Sequence, residues 1–208
     1  MPYLGSQRTI SPSVQVSNLA RGVVTVPSSV NILGSGSFET IATYTFSGSE
    51  SETTFSSIPS VYDNLWLIIE GRNSTSSNRP VSIQFNGDTT GGNYAQQQMY
   101  EEVGTQTKAY QNSSQTSISG FNFGGTGLTA SYPTLYFAQI MGIQNSTHKN
   151  VFLRQQRITA TSSESVQGWL HGVYQGSTSP ITSIKVKMDF ADNFVSGSKV
   201  HLYGLRGI

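Results

Sequence analysis

The chain reads as an all-β protein, an antiparallel β-sandwich of jelly-roll type with an extended N-terminal arm. Three observations predict this. Apolar residues recur at alternate positions in short runs over most of the 208 residues. The runs are parted by Ser-, Thr-, Asn- and Gly-rich turns, and helical periodicity is nearly absent. The pattern supports about eight to ten strands, the number expected of a jelly roll or a related sandwich.

In chain order, residues 1–37 contain no acidic side chain and are broken by Pro2, Pro12 and Pro27. Proline removes a ladder donor and disfavours a long strand. The segment reads as an extended docking arm, with Tyr3, Leu4, Arg8, Val14, Val16, Arg21, Val24 and Val26 as its candidate contacts. A frayed tail followed by an edge strand is the plainer alternative. Residues 38–208 then form one sandwich domain. In its first strand Phe38, Ala42, Tyr44 and Phe46 are expected on one face. Leu65, Leu67 and Ile69 alternate with Trp66 and Ile68, so that strand reads as buried on both sides, with Trp66 as a packing residue. Val81, Ile83 and Phe85 lead to Asn86-Gly87-Asp88, where Asn-Gly predicts a tight hairpin turn. Residues 88–131 are the least regular and predict a long excursion with short strands near Met99-Tyr100 and Ile118–Phe123. Strands resume over 134–143, 151–160, 166–174 (with Trp169 as a second packing tryptophan), 181–190 and 199–205.

Composition narrows the function classes. Cysteine is absent, which excludes disulfides and thiolate metal sites. Only 11% of residues are charged, against about 25% in an average domain, so solubility rests on hydroxyl and amide groups. A net charge of +1 offers no broad field for phosphate, and nucleic acid is not an expected partner. No run approaches the roughly 18 apolar residues of a membrane span. The opening Met1–Arg8 lacks the basic and apolar regions of a secretory signal.

The chemistry of catalysis is sparse. His148, His171 and His201 have no paired spacing for a metal. Glu101 and Glu102 point to opposite faces of an extended chain, so they cannot form a glycosidase pair. Asp88, Asp189 and Asp192 could converge only through the fold. Gly124-Gly125-Thr126-Gly127 lacks the lysine and helix of a phosphate loop. Asn73, Asn112 and Asn145 match glycosylation acceptors but read as products of Asn/Ser/Thr-rich turns. No enzyme activity and no cofactor are expected. The one functional constellation is aromatic. Tyr94, Tyr100, Tyr110, Phe121 and Phe123, with Tyr132, punctuate the irregular stretch among Gln, Asn and Ser. Aromatic faces with amide rims suit a glycan or a partner surface, and the same rings equally suit a core or a subunit interface.

Three phrases carry a resemblance. They are Phe55-Ser-Ser-Ile-Pro-Ser-Val-Tyr-Asp-Asn-Leu-Trp-Leu-Ile-Ile-Glu-Gly-Arg72; Ile83-Gln-Phe-Asn-Gly-Asp88 with Asn93-Tyr94; and Ile181-Thr-Ser-Ile-Lys-Val-Lys187 with Asn193-Phe-Val-Ser-Gly-Ser198 and Val200-His-Leu-Tyr-Gly204. Over about 55–205 the chain resembles small β-sandwich virion proteins of tailed bacteriophages, a group of capsid-decorating proteins, head fibres and tail-fibre pieces. Met1-Pro-Tyr-Leu-Gly5 is similar to the starts of phage fibre and tail proteins that anchor by their N-termini. The resemblance implies a non-enzymatic structural role on the virion surface, other capsid or tail proteins as partners, and a homo-oligomer, with a trimer favoured. It leaves head and tail placement open. Bacterial surface glycan is the alternative partner, reached through the aromatic stretch.

Overall fold

The computed structural model describes residues 38–102, 107–126, 133–158 and 165–206. The arm residues Tyr3 to Val26, and Tyr132, lie outside them. Twelve strands follow in order: β1 (Phe38–Thr45), β2 (Glu52–Phe55), β3 (Asn64–Gly71), β4 (Arg79–Phe85), β5 (Tyr94–Glu102), β6 (Lys108–Gln115), β7 (Ile118–Phe123), β8 (Thr134–Met141), β9 (Lys149–Ile158), β10 (Ser165–Tyr174), β11 (Ile184–Met188) and β12 (Lys199–Leu205).

They form two antiparallel sheets. One has eight strands in the order β1-β12-β3-β8-β9-β10-β5-β6; the other has four, β2-β11-β4-β7. Setting aside the two hairpins β5–β6 and β9–β10, eight strands remain, and these pair by nesting. β1 pairs with β12, β2 with β11, β3 with β8, and β4 with β7. A long hairpin rolled into two four-stranded sheets gives this order, which is the jelly roll. The two extra hairpins then extend one sheet beyond the edge of the other.

The core lies between the sheets. Leu65, Leu67, Ile69, Val200, Leu202, Ala138 and Ile140 supply it from the large sheet, and Val81, Ile83, Phe85, Ile184 and Val186 from the small one. Side chains on alternate positions of each strand point inward, as the pleat requires. Phe46 and Phe194 stack at 3.9 Å between ring centroids and close one end.

The structure corrects several expectations. The register of β1 against β12 shifts between Thr40 and Ala42. This bulge reverses the alternation, so Phe38 leaves the face of Ala42 and Tyr44 and points outward, stacked on Tyr203 at 4.7 Å. Strand β3 is buried on one face only, because Trp66 and Ile68 lie half-buried on the outer surface of the large sheet. Asn86 and Gly87 take the positive φ values of 52° and 69° that the Asn-Gly pair predicts, but their turn carries the chain from one sheet to the other instead of closing a hairpin. The strand expected over 181–190 ends at Met188, followed by a 3-10 turn with positive φ at Phe190 and Ala191. The excursion at 88–131 contains three regular strands, two of them eight and nine residues long.

Candidate functional site

A polar cleft opens where β7 crosses the inner face of the extended sheet. Strand β7 is the edge of the small sheet, so the strands beyond it are left uncovered. Alternation along β5 puts Tyr94, Gln96, Gln98 and Tyr100 on the inner face. The register with β6 sets Gln98 opposite Tyr110 and Tyr100 opposite Lys108. On the other side, Gly168 of β10 pairs with both Tyr100 and Gln155 of β9. Gly168 faces inward without a side chain, which leaves a gap in that row.

The cleft has a volume of 310 Å³ and is floored by Gln98, Tyr100, Gln155 and Arg157, with Tyr110 on the open side and Asn122 on the β7 side. No carboxylate is among its described lining residues. The tyrosine rings of Tyr100 and Tyr110 are parallel to within 11°, with centroids 5.9 Å apart, and the Lys108 ammonium stands 5.7 Å from the Tyr100 ring. Close approach of β7 is possible because Gly120 carries no side chain. A Cβ there would fall 2.5 Å from the Leu170 side chain and 3.2 Å from Gln98 Oε1.

Glutamine amides fasten β7 to the large sheet. The Gln155 Nε2 donates to the Asn122 carbonyl at 2.7 Å, and Gln96 bonds both ways with the Ser119 backbone. Two acceptors at the cleft are left over. Gln98 Oε1 and Gln155 Oε1 are buried and have no hydrogen-bond partner among the described residues. A buried acceptor without a donor is destabilising, and so it is an opening for a ligand or water donor.

The aromatic residues singled out from the sequence divide. Tyr100 and Tyr110 come together at the cleft, and Tyr110 is 46% exposed. Tyr94 and Phe123 are fully buried and do not reach it. The Tyr94 hydroxyl accepts from the Phe85 N–H and donates to the Asp88 carbonyl, each at 3.0 Å. Burial first, and the nearby Asp88 charge, push this phenol up to about 12 against the opposing Phe85 hydrogen bond. Phe121 lies on β7, and its side chain is outside the described residues. The amides of Gln98, Asn122 and Gln155 went unnoticed in the sequence. Period-2 alternation from Tyr94 to Tyr100 is the signal that could have placed Gln98 with Tyr100.

The acidic candidates are held in separate structural roles. The Asp88 carboxylate accepts from the Thr90 N–H, Asn93 and the Tyr174 hydroxyl at 2.8, 2.7 and 3.0 Å. Burial raises its pKa, but these hydrogen bonds outweigh burial and leave it below the usual carboxylate range. Asp189 accepts from the Ser82 and Ser119 hydroxyls, and Asp192 from Arg79. Asn73, a nominal glycosylation acceptor, is fully buried and bonds to the Ser77 and Phe123 carbonyls. Among the described residues no group of His, Asp and Glu could hold a metal ion. Likewise, no helix is long and apolar enough to cross a membrane.

A second surface is the outer face of the large sheet. Phe38, Trp66 and Phe137 form a run of edge-to-face contacts at 5.0 and 4.9 Å. Further along, Met99, Phe152, Trp169 and His171 line a shallow groove of 460 Å³. Trp66 and Trp169, expected as packing residues, both belong to this half-exposed face. Compared with known proteins, the chain matches no family model, no curated protein and no solved structure.

Proposed function

We propose that this chain is a non-enzymatic structural protein of a bacteriophage particle. Residues 1–37 fasten it to a capsid or tail protein, and the sandwich projects outward as a homo-oligomer. The observation that carries the reading is the outer face of the large sheet. A sheet face turned away from its own core is ordinarily polar in an antiparallel sandwich. Here it carries Phe38, Trp66, Phe137, Phe152, Trp169 and Met99, the composition of a face built to be covered.

A second copy of the chain is the occupant that fits. Across β8, β9, β10 and β5 the outward side chains include one cation, Arg154, and one anion, Glu101. Opposite charges on a surface otherwise made of apolar and uncharged polar side chains let a symmetry-related copy match the same surface without like-charge contact. The resemblance of its strand–turn phrases to phage virion proteins supplies the setting. No carboxylate is among the described lining residues of the cleft, which suits binding in preference to hydrolysis.

The test is incorporation. The full chain and a form lacking residues 2–33 are each supplied to a phage from which the gene has been deleted. The full chain should co-purify with particles, and the shortened form should fold but remain free. Equal incorporation of both, or of neither, overturns the docking role. Decoration predicts heat-resistant shells, whereas a fibre role predicts altered host adsorption.

A further inference from the structure

We infer that the cleft under β7 is a glycan-binding site, taking the pyranose rings of a polysaccharide against Tyr100 and Tyr110. Three features of the cleft point to this class. Its aromatic surface comes from two parallel rings 5.9 Å apart, with Tyr110 open to solvent. Such a surface covers the C–H face of a sugar ring, which is apolar, while leaving the ring's rim free. Around the aromatics stand the amides of Gln98, Asn122, Gln155 and Asn78. An amide both donates and accepts, as a sugar hydroxyl does, so the two match in either direction.

The third feature is specific to this floor. Gln155 is only 4% exposed, and its Nε2 is held by the Asn122 carbonyl, so its Oε1 is fixed in place and still lacks a donor among the described residues. Gln98 Oε1, on β5 two strands away, is also buried and without a partner among the described residues. A sugar hydroxyl donating to either would satisfy an acceptor that the described residues leave unmet. The gap over Gly168 lies between Gln155 and Tyr100, where a ring substituent would have to reach. At 310 Å³ the cleft sits at the small end of the ~300–1,000 Å³ range of ligand pockets, which suits a short stretch of chain. A phosphate-rich ligand would want several cations around it, and an apolar ligand would leave four amides desolvated.

The inference is independent of assembly, because the cleft and the outer face lie on opposite sides of the same sheet. The test is isothermal titration of the full chain with cellohexaose, maltohexaose and mannohexaose, and with an oligogalacturonate as the acidic arm. Binding by at least one probe is expected, and the neutral and acidic arms distinguish an uncharged sugar from a uronate held by Arg157 and Lys108. Tyr110→Ala should weaken it roughly tenfold, and Tyr110→Trp should restore it. Gln98→Leu is the sharper variant. It removes the unmet acceptor, so it should abolish binding while the melting temperature holds or rises. Met99→Glu, on the outer face, should leave binding unchanged whatever it does to assembly. Absence of heat for every probe at roughly millimolar concentration, or binding indifferent to both Tyr110→Ala and Gln98→Leu, overturns the site.

Discussion

Gln96 and Ser119 exchange two hydrogen bonds across the sandwich. The Gln96 Oε1 accepts from the Ser119 N–H at 2.9 Å, and its Nε2 donates to the Ser119 carbonyl. A single side chain thus acts as a residue of a neighbouring strand would. Gln84 and Gln155 donate to the Thr116 and Asn122 carbonyls, so amides support the whole approach and length of β7. Edge strands expose unpaired backbone groups, and here side chains from both sheets satisfy some of them. Gln96→Leu should therefore destabilise the fold by about 1–3 kcal/mol, because it strands a donor and an acceptor at once. Urea unfolding checks this. The midpoint should fall with the slope unchanged.

Acid should weaken the fold through Asp88. Its folded pKa is depressed, so its contribution is fully present above its unfolded value of about 3.9 and is lost as pH falls through the folded value. Asp88→Asn should flatten the pH dependence of stability below about pH 4. A thermal melt series at descending pH, run on both proteins, makes the comparison.

Alkali should act through Tyr94. With its folded pKa pushed up to about 12, the unfolded chain ionises first. Stability should therefore hold below pH ~10 and decline as pH rises toward the folded value. Tyr94→Phe should remove this component. It should also cost about 1–3 kcal/mol at neutral pH, because the Phe85 N–H and the Asp88 carbonyl lose their buried partner. Guanidinium unfolding at neutral and alkaline pH separates the two effects.

These amide and phenol anchors also show what the sequence could reveal. The nested eight-strand framework was legible because Leu65, Leu67, Ile69, Val81, Ile83 and Phe85 obey the period of a half-buried strand. Of the added hairpins, β9–β10 was legible as strands over 151–160 and 166–174, whereas β5–β6 was not. Strand β6, Lys-Ala-Tyr-Gln-Asn-Ser-Ser-Gln, is almost wholly solvent-exposed, so burial imposes no apolar period on it. On β5 the inward positions Gln96 and Gln98 are filled by amides, which breaks the apolar-in pattern and reads as loop. The bulge at Ile41 left no mark in composition, and Phe38 was accordingly assigned to the core face. Tyr100 and Tyr110 were recognisable as candidates by their polar neighbours. Their separation from Tyr94 and Phe123 depends on where β7 ends its cover, a long-range property.

The outer face should respond to charge. Trp169→Glu or Met99→Glu should shift the protein toward its protomer mass in analytical ultracentrifugation, with an unchanged far-ultraviolet circular dichroism spectrum. A wild-type protein that sediments as a protomer at every concentration would remove the support for assembly through this face.

Ala191 holds a positive φ of 58°, a conformation that costs a residue with a Cβ roughly 1–2 kcal/mol. Ala191→Gly should raise the melting temperature, because this relief exceeds the roughly 0.4–1 kcal/mol that the added freedom of the unfolded chain costs. Calorimetry on the two proteins decides the sign.

The nested order of the eight framework strands has one further consequence. Every one of them finds its sheet neighbours without help from β5, β6, β9 or β10, apart from the single seam where β8 meets β9. The flank that bears the cleft is therefore an attachment in its strand pairing, tied to the framework through the Gln96 and Gln155 amides on β7. Its hairpins could diverge in length and composition, and so in what they recognise, while the rolled framework beneath stays the same.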